Sequence, residues 1–249
     1  MERRFACTVC GKCCQGWLPL TLEDAVRHAH RFPLAVLWST VRQGAKAFAL
    51  TERLGLPLSK KVALRITPLS YLPPQQACPA LADDGKCAIH HEKPLRCRVM
   101  PFSADREEKD QADLLIPRKD WLCDISAVAP AVYREGKILD SRDFDAERRA
   151  FESQAPIVKA YGDFLLKSSP AFKAEMEKLA LRPGGGQMIL KISPLLRKAG
   201  FVDLADFARR QAPVLRRFQA LASDQDYARN YADWAVEMEG LQRNEGDGA

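Results

Sequence analysis

The sequence predicts a mainly α-helical protein with little short β structure, in which a loop-rich, cysteine-ligated N-terminal part precedes a helical C-terminal part. Two observations lead to this fold class. The eight cysteines of the 249-residue chain all lie within its first 123 residues. From about residue 125 onwards, apolar residues recur at helical spacing. We therefore expect a cysteine-cluster domain over residues 1–125 and a helical region over 126–249.

The composition favours a globular protein of the cytoplasm. Hydrophobic residues make up 47% and charged residues 28% of the chain, which is ordinary for a folded domain. No segment approaches the roughly 20 apolar residues of a membrane helix, and the start MERRFACTVCGK lacks the apolar core of a secretory signal. Because disulfides are rare in the cytoplasm, clustered cysteines there indicate metal ligands or redox groups.

The first predicted element is a helix in LTLEDAVRHAHRF, residues 20–32. Thr21 is suited to cap its N-terminus and Asp24 completes a capping box. Pro33 should end or kink it, and residues 34–48 are expected to continue as a second helical piece. Residues 62–72 are rich enough in β-branched side chains to be extended, although Pro68 should restrict them to a short or edge strand.

Residues 76–101 combine Asp-Gly, proline and little periodicity, so we expect a loop-rich wrap. The C-terminal part should be helical. Its expected helices cover residues 146–166, interrupted near Pro156, then 170–181, 193–200, 203–222 and 224–240. Residues 187–192 could form a short strand or begin a helix, and the tail NEGDGA is expected to fray.

The first fourteen residues contain Cys7, Cys10, Cys13 and Cys14. Adjacent cysteines cannot form a disulfide without strain, whereas thiolates at two-residue spacings suit zinc or an iron–sulfur cluster. Three residues per turn would align the first three cysteines, and an α-helix would align Cys7, Cys10 and Cys14. We therefore expect Cys13 and Cys14 to serve different sites, or one of them not to bind metal. Gly11 permits close backbone approach.

Further ligands must come from later in the chain. A C-x-x-C-x-x-C run completed by a distant cysteine favours a 4Fe–4S cluster, and the dipeptide Cys78-Pro79 fits that interpretation. Eight cysteines could equally form two tetrahedral zinc sites. The candidate metal ligands are all eight cysteines: Cys7, Cys10, Cys13, Cys14, Cys78, Cys87, Cys97 and Cys123.

These motifs resemble those of the YkgJ-type cysteine-cluster family (CxxCxxCC), which is described as a zinc- or iron-chelating domain. The matching segments are FACTVCGKCC (5–14), LTLEDA (20–25), CPAL (78–81) and CAIHHEKPLRCRVMPF (87–102). The resemblance covers roughly residues 5–125 and implies metal binding by the first seven cysteines, while Cys123 lies outside the pattern. His90 replaces the family's usual tyrosine and Lys93 its usual arginine.

The flagellin lysine N-methylases are more distantly similar. This resemblance implies an iron–sulfur centre and S-adenosylmethionine-dependent methyl transfer, by analogy alone. The sequence therefore leaves two function classes open: an enzyme of group transfer, or a structural zinc-binding module that mediates protein interaction. No catalytic residue can be named, and the triple glycine at 184–186 is expected to be a loop.

The charge distribution bears on partners. Residues 1–70 hold eleven Lys or Arg against four Asp or Glu, and a four-thiolate site of net negative charge accounts for the excess. Aromatic side chains do not alternate with these basic residues as in a nucleic-acid platform. We expect neither nucleic acid nor membrane as a partner, but a protein or small-molecule substrate.

Several other residues have two interpretations. Arg96 and Arg98 flank Cys97 and could donate to sulfur or bind an anion, or else form salt bridges. His90 and His91 could replace a thiolate, and Lys12 is the expected counter-charge in the first loop.

The remaining residues of interest lie on predicted helices. His28 and His30 should lie on different helix faces and be exposed. Tyr227, Tyr231 and Trp234 fall at helical spacing and should be core or interface residues.

Overall fold

The computed structural model describes residues 2–243 and has a mixed α/β fold. The described residues contain one antiparallel sheet of three strands and one of five. The prediction of a mainly α fold with little short β is therefore wrong.

The strands, in chain order, are β1 (Glu2–Arg4), β2 (Leu18–Pro19), β3 (Leu34–Arg42), β4 (Leu56–Ser59), β5 (Val62–Ser70), β6 (Ala131–Arg134), β7 (Lys137–Ile138) and β8 (Gln187–Lys191). The α-helices are α1 (Leu22–Arg27), α2 (Phe48–Leu54), α3 (Leu95–Val99), α4 (Arg142–Ser168), α5 (Pro170–Ala180), α6 (Ser193–Ala199), α7 (Leu204–Leu221) and α8 (Gln225–Arg243). Short 3-10 turns occupy Glu108–Asp110 and Ala112–Leu115.

The strand β3 forms the centre of the five-stranded sheet, in a segment predicted to be helical. It pairs with β5 over nine residues, from Leu34 opposite Ser70 to Arg42 opposite Val62, and with β8 on its other side. Eight of its nine residues are buried. A strand buried on both faces has a continuous apolar run, and such a run shows no two-residue alternation to distinguish it from a buried helix.

The strand β5 was correctly predicted as extended, but it is an internal strand rather than a short or edge strand. It pairs with β3 on one side and with β2 and β4 on the other. Pro68 fits because the pairing with β4 ends at Leu64 and the pairing with β2 begins at Leu69. On the side of β5 that faces β2 and β4, the Pro68 carbonyl accepts a hydrogen bond from the Leu20 N–H at 2.9 Å. The Pro68 nitrogen, which has no hydrogen to donate, is not needed for a ladder bond there.

The helix α1 begins as predicted. The Thr21 hydroxyl accepts the Asp24 N–H at 3.0 Å, and it donates to the Asp24 carboxylate at 2.9 Å. Asp24 also accepts the Leu95 N–H at 3.1 Å. Asp24, which bonds to the capping residue Thr21, thus also fixes the first turn of α3, which carries Cys97.

The helix α4 packs on one face of the large sheet. It continues through Pro156, contrary to the expected interruption, and Ala155 and Val158 on either side are buried. At Gly162 an added Cβ would lie 2.6 Å from Ile66 Cδ1, so helix and sheet are in close contact there. Burial of this face outweighs the cost of one missing helical hydrogen bond.

The helices α5, α6 and α7 follow the sequence expectations closely, and α8 does so except that it runs through Gly240 to Arg243. The helices α2 and α3 were not predicted, since α3 lies in the expected loop-rich wrap. Residues 187–192 form mainly strand β8. The predicted fraying of NEGDGA concerns residues outside the described part of the chain. Tyr227, Tyr231 and Trp234 are buried, as expected of core residues.

Both sheets combine strands from the two sides of residue 125. The chain start, β1, pairs with β6, and β8 pairs with β3. The division into 1–125 and 126–249 stays a prediction. A main core surrounds the five-stranded sheet, and a smaller core including Val99, Phe102 and Phe144 lies beside α3. Over residues 2–243, no helix has both the length and the apolarity needed to cross a bilayer.

Candidate metal centre

The first cysteine loop turns tightly at Gly11. The Cys14 N–H donates to the Gly11 carbonyl at 2.9 Å, and Gly11 has a φ of 70°. An added Cβ at Gly11 would lie 2.7 Å from the Gly85 carbonyl oxygen and 3.0 Å from Leu81 Cδ1. Glycine therefore allows this loop to contact the segment between Cys78 and Cys87.

Backbone hydrogen bonds join the first loop to the second cysteine segment. The Cys78 N–H donates to the Cys14 carbonyl at 2.9 Å, beside an antiparallel bridge between Gln15 and Ala77. A further bridge joins Leu81 to Cys87. Cys97 lies in α3, whose first residue is held by Asp24. Four segments distant in sequence thus approach one another here.

A second backbone pairing brings Cys123 to the chain start. Ala6 and Asp124 exchange two N–H···O bonds, of 2.7 and 2.9 Å. The Thr8 hydroxyl donates to the Leu122 carbonyl at 3.0 Å. Cys7 directly follows Ala6, and Cys123 directly precedes Asp124. The structure therefore brings Cys123 near the first loop.

Cys14, Cys78, Cys87 and Cys97, which we call the inner thiol group, lie near one another: the charges of Cys78 and Cys97 act on Cys14, and those of Cys78 and Cys87 act on Cys97. Burial raises the pKa of Cys97 to about 12, and the neighbouring charges of Cys78 and Cys87 contribute to the increase. Burial also raises the pKa of Cys78, which is close to Cys87. These shifts disfavour free thiolates, and a bound cation is what would stabilise them.

The outer thiol group consists of Cys7, Cys10 and Cys123. Burial and then the charges of Cys10 and Cys7 raise the pKa of Cys123. The pKa of Cys10 is lowered, chiefly because the backbone groups of Lys12 and Leu122 hydrogen-bond to its sulfur. Lys12 thus acts on Cys10 through its backbone, and the counter-charge expected from its side chain stays a prediction.

Cys13 lies between the two groups. The Cys14 thiol donates a hydrogen bond to Cys13, which lowers the pKa of Cys13 and raises the pKa of Cys14. The positive charge of Lys93 lowers the pKa of Cys13 further. The charge of Cys13 contributes to the raised pKa values of Cys97 and Cys123. The charges of Cys78 and Cys97 contribute to the raised pKa of Cys14. Cys13 therefore faces both groups, whereas Cys14 faces the inner thiol group.

The eight cysteines are all free thiols. As the side chains stand within residues 2–243, no three Cys, His, Asp or Glu converge closely enough to surround one metal ion. The donor chemistry nevertheless fits zinc or iron–sulfur, because soft thiolates are what these metals select. The sequence interpretation of all eight cysteines as ligands stays a prediction.

Arg96 forms a salt bridge instead of donating to sulfur. Its guanidinium lies 3.2 Å from the Glu147 carboxylate and 2.9 Å from the Ser103 hydroxyl, and it also donates to the Phe102 carbonyl. Arg98 pairs with Asp143 on the surface. Of the two interpretations considered for these arginines, the salt bridge is the one observed.

The histidines do not join the cysteine groups. His90 and His91 are exposed. His28 was expected to be exposed but is 1% exposed, because α1 ends at Arg27 and the following turn folds its ring against Phe32. Burial lowers the pKa of His28.

Glu147 is a buried charged residue that the sequence interpretation missed. It lies between Phe144 and Phe151 along one face of α4, and such a charge within an apolar stripe was the available signal. Its carboxylate accepts the Ala104 N–H at 3.2 Å in addition to Arg96. It thereby connects α4 to the segment that follows Cys97.

The helix α8 contacts the segment that follows the first cysteine loop. The Trp17 indole N–H donates to the Tyr227 hydroxyl at 2.8 Å. The Tyr227 ring stacks on Tyr71 with centroids 4.2 Å apart. Trp17 is only three residues after Cys14, so the C-terminal helices support the position of the loop.

Comparison with known proteins gives one result. Residues 6–119 match the CxxCxxCC family, described as a "putative zinc- or iron-chelating domain". No curated protein and no solved structure matches the chain, and similarity to the flagellin lysine N-methylases is not shown. The matched range contains every cysteine except Cys123. Over residues 6–119, therefore, the chain is similar to the CxxCxxCC family, whose description is zinc or iron chelation.

Proposed function

We propose that the cysteines bind iron or zinc in two thiolate centres. One centre would use the inner thiol group, and the other would use the outer thiol group together with Cys13. The observations that support this division are the pairing of Ala6 with Asp124, which brings Cys123 beside Cys7, and the neighbouring charges that, besides burial, raise two pKa values: those of Cys78 and Cys87 act on Cys97, and those of Cys10 and Cys7 act on Cys123. Each centre would then have four thiolates, the number that both a zinc ion and a 4Fe–4S cluster require.

The energetic balance favours convergence of the thiols around a metal. Turning a cysteine side chain away from a preferred rotamer costs about 0.5–1.5 kcal/mol. Structural zinc sites contribute about 10–16 kcal/mol. The chain around Cys78 and Cys87 is held mainly by turns and isolated bridges, so these two sulfur atoms can move closer to Cys97 in α3 without breaking a helix or sheet.

The principal role that we propose for the centres is structural. They would fasten the chain start, residues 78–97 and residue 123 to one another, where little regular secondary structure does so. This proposal is compatible with a module that presents a surface to another protein.

Elemental analysis of protein prepared without oxygen tests the proposal and identifies the metal. We expect about two zinc ions per chain, or iron with inorganic sulfide and a broad visible absorption band. The iron–sulfur form would be brown and the zinc form colourless. Protein that retains neither metal after purification and reconstitution would refute the proposal.

Two cysteine substitutions test the division into two centres. Cys10→Ala should reduce binding at the outer centre and Cys14→Ala at the inner one, so the two variants should lose different parts of the metal content or spectrum. Cys10 and Cys14 lie in the same loop, which makes each variant the control for the other. Identical losses would contradict the division.

Group transfer is a second candidate function, favoured by one observation. A pocket of about 110 Å³ lies beside Arg96, which immediately precedes Cys97, and its lining combines apolar side chains of α2 and α4 with Arg65, Ser103 and Asp105. Such a mixture of apolar walls and a few polar groups is typical of small-molecule sites, but the volume is below their usual range of roughly 300–1,000 Å³, so the pocket would hold only part of S-adenosylmethionine. Calorimetry of the metal-loaded protein with S-adenosylmethionine tests methyl transfer, and absence of binding would remove it.

A further inference from the structure

A second pocket lies at a corner of the five-stranded sheet, where β3 continues beyond the start of β8. Its volume is about 830 Å³. Gln187, the first residue of β8, pairs with Ser39 of β3. The last residues of β3, Thr40–Arg42, therefore extend beyond this end of β8. The triple-glycine loop, Gly184–Gly186, forms one wall and the turn after β3 forms another. None of the residues that line it is a cysteine.

The charge of this pocket is positive. Arg42, Arg65 and Arg182 line it, and the described lining residues include no Asp or Glu. Arg65 also pairs with Asp105, which lies outside the lining. Arg42 donates through Nη2 to the Ala180 carbonyl, while its Nε has no partner within residues 2–243. Two guanidinium groups thus remain without a carboxylate partner among the described residues.

Ser39 supplies a buried polar group without a partner. Its side chain is 5% exposed, and its hydroxyl makes no hydrogen bond to any residue in the described part of the chain. Ser39 lies directly opposite Arg65 on β5 and Gln187 on β8, so these three side chains share one face of the sheet, whereas Arg42 at the end of β3 belongs to the other face of this corner. A buried hydroxyl without a hydrogen-bond partner destabilises the folded protein, and a bound ligand that hydrogen-bonds to it would remove this penalty.

The glycine loop is fixed against β3 and leaves space in front of it. The Gly186 N–H donates to the Thr40 hydroxyl at 2.7 Å, and the Thr40 N–H donates to the Gly186 carbonyl at 2.9 Å. Gly185 has a φ of 75°, and an added Cβ there would lie 2.6 Å from the Thr40 carbonyl oxygen. At Gly184 an added Cβ would meet no described atom within 4 Å. The wall is therefore held in place, with open space at Gly184.

We propose that this pocket binds a small organic phosphate. Guanidinium groups bind phosphate through paired N–H donors, and two otherwise unpaired arginines match the two negative charges of a phosphate monoester. The volume lies within the range of small-molecule sites, roughly 300–1,000 Å³, and exceeds what inorganic phosphate alone would fill. The Ser39 hydroxyl and the Gln43 and Gln187 amides supply neutral hydrogen-bonding groups for the organic part.

Titration calorimetry of the full chain with AMP, pyrophosphate and adenosine at constant ionic strength tests the proposal. AMP and pyrophosphate should bind with Kd values below about 1 mM, and adenosine, which lacks the phosphate, should bind at least tenfold more weakly than AMP. Absence of AMP and pyrophosphate binding, or equal binding of AMP and adenosine, would overturn the proposal.

Substitutions at Arg182 locate the site. Its side chain is exposed, so removing it should leave the fold intact, which a thermal melt checks. Arg182→Ala should weaken AMP binding roughly tenfold, and Arg182→Glu should weaken it further. The matched control is Arg197→Ala, an exposed arginine on α6 outside the pocket, which should bind as the wild type does. Unchanged affinity in both Arg182 variants would place the phosphate elsewhere and overturn the proposal.

Discussion

The carboxylate of Glu147 lies 3.2 Å from the guanidinium of Arg96, and both side chains are buried, at 1% and 12% exposure. Arg96 immediately precedes Cys97, and Glu147 belongs to α4. Burial raises the pKa of Glu147, and the charge of Arg96 opposes that effect. This ion pair therefore joins the short helix that carries one thiol of the inner thiol group to the longest helix of the protein.

Loss of this ion pair should destabilise the protein strongly. Glu147→Ala leaves the Arg96 charge buried and unpaired, and breaking a buried pair in this way costs about 3–5 kcal/mol. Urea unfolding measures the change. The control is Glu239→Ala, which removes the exposed pair with Arg216 on the protein surface and should have a much smaller effect. Similar losses in the two variants would contradict the structural role assigned to Glu147.

The contact between the two cysteine loops depends on Gly11. Gly11→Ala places a Cβ 2.7 Å from the Gly85 carbonyl oxygen and also strains a backbone at φ 70°. Gly44→Ala is the matched control, since Gly44 has a φ of 95° but no described atom within 4 Å of the added Cβ. Backbone strain alone costs roughly 1 kcal/mol in both variants, so the additional loss in Gly11→Ala reports the loop contact.

Thermal unfolding and metal content should both be measured for these two glycine variants. We expect Gly11→Ala to lose more stability and more metal than Gly44→Ala. If the two variants retain the same stability and the same metal content, the close approach of the loops is not required for metal binding.

Asp105 should make stability depend on pH in the acid range. Burial alone would raise the pKa of Asp105, but the Arg65 charge and hydrogen bonds from Ser103 and Arg65 outweigh it and hold the pKa below its ordinary value. A carboxylate with a lowered folded-state pKa stabilises the protein above the unfolded-state pKa, about 3.9. This stabilisation is lost as the pH falls through the folded-state pKa.

Asp105→Asn should therefore destabilise the protein at pH 7, and the difference from wild type should shrink as the pH falls below about 4. Denaturant unfolding at a series of pH values provides the measurement. The other carboxylates are common to both proteins, so their contributions cancel in the difference. A difference that stays constant, or that grows on acidification, would contradict the assignment of the Arg65–Asp105 pair.

The hydrogen bond between Trp17 and Tyr227 should couple the first cysteine loop to α8. Tyr227→Phe removes the hydroxyl but retains the ring that stacks on Tyr71, and it should cost about 1 kcal/mol. Trp17→Phe removes the donor. In a double-mutant cycle the two effects should be non-additive by roughly 0.5–1.5 kcal/mol, whereas strict additivity would show that the hydrogen bond contributes nothing.

The sequence was most informative where one local interaction decides the structure. The cap of α1 by Thr21 and the end of α6 at Gly200, which has a φ of 74°, could both be predicted because each depends on neighbouring residues alone. The similarity to the CxxCxxCC family could be recognised because the cysteine spacings are unusual. Strand β3 could not be identified, since its burial on both faces depends on β5, β8 and the packed helices.

The division of the thiols was only partly predictable. Local geometry indicated that Cys13 and Cys14 point differently, but the association of Cys123 with the chain start depends on the Ala6–Asp124 pairing across the molecule. The Arg96–Glu147 pair likewise joins residues 51 positions apart. Such long-range partners are chosen by the assembled fold and leave little trace in the local sequence pattern.

X-ray absorption spectroscopy at the metal edge tests the central claim most directly, because it counts the sulfur atoms bound to each metal. We predict a first shell of about four sulfur atoms at about 2.3 Å if the metal is zinc, or thiolate and sulfide sulfur with a short iron–iron distance if it is an iron–sulfur cluster. A first shell composed of oxygen and nitrogen would contradict the account.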